Sequence, residues 1–95
     1  MPLDDGTQVV LRAARDEAKQ AETSGELEEL RDHGGRSKDA LESIDRSEME
    51  ATVRHKIEEA IRHATNTQHA STPAGGRHDT AEVSRIINEI LEAAD

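Results

Sequence analysis

Between Thr80 and Ala94, the residues Val83, Ile86, Ile87, Ile90, Leu91 and Ala94 recur at i, i+3, i+4, i+7, i+8 and i+11, the repeat of one helix face. At about 100° per residue these side chains fall within roughly 140° of arc, while Glu82, Ser84, Arg85, Asn88, Glu89 and Glu92 point elsewhere. Asp79, with Glu82 three residues on, reads as an acidic capping box that opens the helix over 80–94. Burying the five large aliphatics gains on the order of 10 kcal/mol at about 2 kcal/mol each. Ordering about fifteen residues costs about 1 kcal/mol or more apiece. The helix cannot stand alone, so the rest of the chain must supply a surface for its stripe.

A second stripe answers that need. Met49, Val53, Ile57, Ala60, Ile61 and Ala64 lie within about 120° of arc, and Asp45 with Glu48, or Ser47 with Glu50, supplies a start. The spacing predicts a helix over 47–66, fraying through Thr65-Asn66-Thr67-Gln68. Ser71-Thr72-Pro73-Ala74-Gly75-Gly76 then reads as a flexible connector over 71–78. The two helices are expected to form a C-terminal antiparallel hairpin. Upstream the signals weaken. Val10, Leu11, Ala14, Ala18 and Ala21 share a face, which predicts a helix over 5–22 after a flexible 1–4. A capping box of Thr23 and Glu26 predicts a short helix over 24–33 bearing Leu27 and Leu30. Gly34-Gly35-Arg36-Ser37 reads as a turn, and a further helix over 38–45 carries Leu41 and Ile44.

These elements make one all-α domain, a small helical bundle. Leu, Ile and Val supply sixteen residues, and there is no aromatic residue, so the core is built from aliphatics, Met49 and thirteen alanines. So little apolar matter suggests completion by a second copy, and a homodimer of two hairpins is the expected assembly.

Twenty-one acidic residues against twelve basic ones give a formal charge of −9. Such a surface repels phosphates, which makes nucleic acid an unfavourable partner. The acidic, Lys-poor, aromatic-free composition resembles that of cytoplasmic proteins of extreme halophiles, whose carboxylate-rich surfaces stay hydrated in concentrated salt; this resemblance implies a habitat. No cysteine is present, so disulfides and thiolate chemistry are excluded. The first residues have neither a basic start nor an apolar run, and no stretch has the length of a membrane span. The expected location is the cytoplasm.

The chemically versatile side chains are the histidines. His55, Glu59 and His63 stand at i, i+4 and i+8 on one flank of the 47–66 helix and are weak candidates for a divalent metal. A structural site needs four ligands and the sequence names no fourth, so no metal and no other cofactor is expected. Arg54-His55-Lys56-Ile57, early in a long amphipathic helix followed by a loop and another helix, resembles the dimerisation and phosphoacceptor hairpin of histidine kinases. The resemblance covers Ser47 to Ala94 and implies that His55 is phosphorylated on the outer face of a dimeric four-helix bundle. Lys56 stands where that family usually has Glu, Asp or Asn.

Neither glycine pair follows a strand or ends in Gly-Lys-Ser/Thr, so neither reads as a phosphate loop. No GxSxG turn frames a serine, and the paired carboxylates sit on solvated faces, away from any cleft that raises a pKa. Enzyme activity is not expected. The stretch from Leu27 to Ile44 resembles a helix-turn-helix in outline, but its second helix offers Lys38 and Arg46 against Asp39, Glu42 and Asp45. An acidic helical protein is better suited to cover a basic partner, in the manner of an antitoxin or anti-repressor. The expected function is therefore a non-enzymatic interaction module, an adaptor or regulator. Its stripe residues Met49, Val53, Ile57, Ile61, Val83, Ile86, Ile87, Ile90 and Leu91 serve as core or interface. A stand-alone phosphotransfer module using His55 is the alternative.

Overall fold

The computed structural model describes residues 3–94. Met1, Pro2 and Asp95, with the Ala94 side chain, lie outside the described residues, and with them half of the segment 1–4 expected to be flexible and the last position of the stripe. Four helices follow one another: α1 (Asp5–Thr23), α2 (Leu27–Glu42), α3 (Ala51–Gln68) and α4 (Pro73–Ala94), with no strand among the described residues. Each packs on its neighbour in sequence and α4 closes on α1, while α2 and α4 meet weakly across the diagonal. Facing residues give the directions. Glu17 meets His33 and Ala14 meets Ser37; Thr67 meets Gly76 and His63 meets Asp79; Ala18 meets Thr80 and Arg15 meets Asn88. Numbers rise on one helix as they fall on its neighbour, so successive helices alternate in direction around a bundle of 39 × 18 × 18 Å. The radius of gyration of 12.5 Å is close to the value of about 12 Å for a compact chain of this length.

The helix starts differ from the expected capping boxes. Asp4 caps α1, its Oδ1 accepting the Thr7 N–H at 2.7 Å. Thr23 is the last residue of α1 and gives its hydroxyl to Gln20 O, so it starts nothing. Asp45 accepts both the N–H and the hydroxyl of Ser47, a side-chain turn that holds the connector and delays α3 from 47 to Ala51. At its other end α3 does not fray after 66 but continues to Gln68. Thr65 and Thr67 donate their hydroxyls to the carbonyls of Ile61 and His63, which suits polar residues to a helix interior.

The two glycine-rich segments depart furthest from expectation. Helices 24–33 and 38–45 are one helix, α2, running through Gly34-Gly35-Arg36-Ser37 without a turn. Likewise the connector expected over 71–78 is mostly helix. Thr72 accepts the Gly75 N–H on Oγ1 at 3.1 Å and the Gly76 N–H on its carbonyl at 3.1 Å. Pro73, with no N–H to lose, opens α4 seven residues ahead of Thr80. The reason is packing. Gly34 and Gly76 are buried, and a Cβ on Gly34 would lie 2.6 Å from Thr67 Cγ2 and 3.0 Å from the Gln68 nitrogen. A Cβ on Gly76 would overlap Leu30 Cδ2. No described glycine has positive φ. Glycine here lets helices approach closely.

The core divides by level. At the end formed by the start of α1, the α2–α3 connector and the close of α4, it is aliphatic: Leu11, Leu41, Ile44, Ile57, Val83, Ile86, Ile87 and Ile90 are all buried, with Met49, Val53, Ile61 and Leu91 packed partly buried against them. Toward the end formed by the α1–α2 and α3–α4 connections the chain offers Ala18, Ala21, Gly34, Ala64, Thr67, Ala70, Gly76 and Thr80 at the same depth, with Leu30 as the large side chain among them. Buried hydroxyls staple that end: Ser37 donates to Ala14 O at 3.0 Å and Thr80 to Ala18 O at 2.9 Å.

Candidate functional site

The stripe residues named from sequence are placed in two groups. Ile57, Val83, Ile86, Ile87 and Ile90 are buried inside one chain, so the bundle closes its core without a second copy. Met49, Val53, Ile61 and Leu91 are partly exposed at the aliphatic end, and two of them line a recess there. The half-buried Leu3, Thr7, Met49 and Val53 line it as a floor, and the exposed Asp4, Asp45, Glu48 and Glu50 as a rim. Its volume is about 350 Å³, at the small end of the roughly 300–1,000 Å³ range of ligand pockets. The recess is a consequence of the helix ends. The start of α1, held by the Asp4 cap, stands beside the first turns of α3, and the Asp45–Ser47 turn carries the connector past both.

Among the described residues no basic side chain lines this recess. Arg46 in the same connector is partly buried, with Nη1 enclosed and unpartnered. The two hydrogen bonds from Ser47, backbone first and hydroxyl second, hold the Asp45 carboxyl below the usual carboxylate range. That rim group therefore stays ionised further into acid than a free aspartate.

A second recess, of about 670 Å³, lies at the small-residue end between Glu26, Glu28, Glu29, Arg31, Asp32 and Gln68. It has no apolar side chain on its walls. Arg31 lies among its acids and is itself committed through Nε to Ala70 O at 2.7 Å. This second site offers charge without an apolar anchor.

The histidines divide into paired and exposed. His33 Nδ1 donates to Glu17 Oε2 at 2.6 Å across α1 and α2, and His63 Nδ1 donates to Asp79 Oδ1 at 2.8 Å across α3 and α4. His63 is thus turned toward α4, away from a shared flank with His55 and Glu59. Glu59 lies 3.8 Å from Arg62 instead. Among the described residues no three His, Cys, Asp or Glu side chains gather as a metal would require. His55 stands exposed on α3, with Glu58 and Glu59 exposed one turn on. On α4 the Arg85 guanidinium sits between Glu82 and Glu89 at 2.6 and 2.9 Å. Hydrogen bonding to Arg85 lowers the pKa of Glu82, and the same contact raises that of Arg85.

Among the described residues no helix is long and apolar enough to cross a membrane. No protein family, curated protein or solved structure matches the chain significantly.

Proposed function

We propose that the protein is a non-enzymatic interaction module, an adaptor or regulator working in the cytoplasm, and that it meets a protein partner at the aliphatic end of the bundle. The observation that supports this reading is the recess, which brings the partly exposed Leu3, Met49 and Val53 together beside the aliphatic core. Apolar floor favours an apolar side chain from a partner, and the flexible thioether of Met49 adapts to more than one shape. The stripe of α4 is spent inside the chain, so the docking surface lies where the stripes run out. A homodimer is not needed to bury the stripes; a second copy, if it forms, must use this same end or a polar face.

The test is affinity capture from the native host at that host's salt, followed by reconstitution from two purified components. The reading predicts a stoichiometric complex, and failure to find any such partner counts against it. We further propose that the acidity is an adaptation to a saline interior. Net charge of −9 destabilises a compact chain in dilute buffer by self-repulsion that salt screens. Helix content measured by circular dichroism should rise toward molar salt, and a flat curve would reject the habitat.

The exposure of His55 favours one second reading, a phosphotransfer module. The carboxylates of Glu58 and Glu59 would repel a phosphoryl group there, which makes it the lesser proposal. Incubation with acetyl phosphate should give an adduct of about 80 Da that His55→Gln abolishes; an unmodified intact mass removes this reading.

A further inference from the structure

We infer that the recess at the aliphatic end takes a cationic amphipathic segment of the partner, with an aliphatic side chain seated on Leu3, Met49 and Val53 and Lys or Arg residues on either side of it meeting the rim. This rests on the interaction-module reading above and names the chemistry of its partner.

Two features of the recess act together. The floor alone would accept any apolar group, but the exposed carboxylates of Asp4, Asp45 and Glu48 stand around it, and no described basic side chain is among the lining residues. Asp4 and Asp45 each have one oxygen bonded within the chain, and a neutral or acidic segment would desolvate the charge that remains at the rim, Glu48 above all, without offering an opposite charge. A segment carrying bases at its edges replaces the lost water with ion pairs at a half-solvated boundary, where opposite charge chiefly sets specificity and speeds the encounter. The opposite end of the molecule supplies a natural contrast. Its recess is also acidic, yet it lacks an apolar floor and contains Arg31 already bonded to the protein. A second copy that met this end with its own would set Asp4, Asp45 and Glu48 against the same three carboxylates, so that dimer is disfavoured. The size agrees with a single anchor: about 350 Å³ accepts one or two aliphatic side chains of the segment.

The experiment uses the full chain and a synthetic helical peptide of alternating Leu and Lys turns, labelled for fluorescence anisotropy, with a Glu-for-Lys peptide as its counterpart. The cationic peptide should bind and the acidic one should not. Glu48→Lys, at an exposed connector position, should weaken binding about tenfold, equivalent to about 1.4 kcal/mol. Glu28→Lys makes the same change of charge at the far end and should alter binding less than about twofold. In heteronuclear NMR the peptide should shift the signals of Leu3, Thr7, Met49 and Val53. Equal weakening by both variants would mean that overall acidity attracts the peptide, and the inference falls. Absence of binding by the cationic peptide also overturns it, as does a concentration-dependent dimer in sedimentation that Glu48→Lys dissolves. A reconstituted native complex indifferent to Glu48→Lys overturns the inference while leaving the interaction-module reading in place.

Discussion

The two ends of the bundle solve the same packing problem with opposite materials. At one end branched aliphatics from all four helices, Leu11, Leu41, Ile57 and Ile87 among them, fill the space between axes. Toward the other, glycine, alanine and threonine bring the axes together, and hydroxyls give the contact its direction through Ser37 to Ala14 O and Thr80 to Ala18 O. A filled end loses stability when side chains are removed; a close-packed end loses it when atoms are added. That difference also accounts for the place of the proposed docking recess, where Leu3, Met49 and Val53 stay partly exposed at the filled end.

The comparison can be broken at four strengths. Ile87→Asp places a carboxylate in the centre of the filled end and should cost about 5 kcal/mol or more, comparable with the whole stability of a small domain at the low end of the usual range, about 5 kcal/mol, so the helices should be largely lost. Retained helicity in circular dichroism would show that Ile87 is not central. Gly34→Ala adds one methyl group against Thr67 and Gln68 and should destabilise by about 1–3 kcal/mol in urea titration, although the same change in an open helix stabilises by about 1 kcal/mol. A raised unfolding midpoint would mean that the small-residue end is loose. Thr80→Val keeps the shape and removes the bond to Ala18 O, so a loss of about 1 kcal/mol is expected, and slower amide exchange near Thr80 in the variant would contradict it.

The smallest effect concerns pH. Folding lowers the pKa of Asp45 through Ser47, so its contribution is present above the unfolded-state value and is lost as pH falls through the folded one. Asp45→Asn should leave stability near neutrality little changed and remove a minor part of its decline in acid. A carboxyl carbon titration of Asp45 that matches a free aspartate would refute the cause.

Much of the filled end can be read from the sequence, because branched aliphatics at helical spacing have one physical meaning. The stripe over Val83–Leu91 and the run from Val53 to Ile61 both lie on helices, whereas Met49, expected on the same face, sits in the connector ahead of α3. The small-residue end is misread for an equally physical reason. Gly34-Gly35 and Gly75-Gly76 look like chain breaks when only local propensity is weighed, and what overrides it is the distance to Thr67 and Leu30 on other helices. One local signal was available: Thr72-Pro73 is a strong helix start, a capping hydroxyl followed by a residue suited to the first helical position. The recess was legible only in part. Met49 and Val53 belong to a visible stripe, but Leu3, Asp4 and Asp45 join them by tertiary placement alone.

Glycine at Gly34 and Gly76 has a genetic consequence as well. No amino acid is smaller, so every missense change at either codon adds at least a methyl group where α2 meets α3 or α4. Drift at these two positions is therefore costly, and more so at Gly34, where the added atom also meets the Gln68 backbone nitrogen, than at Gly76, where the end of Leu30 can turn aside. Descendants of this chain should vary more freely along Arg36, Asp39 and Glu42, exposed on the same α2, than at Gly34 and Gly76.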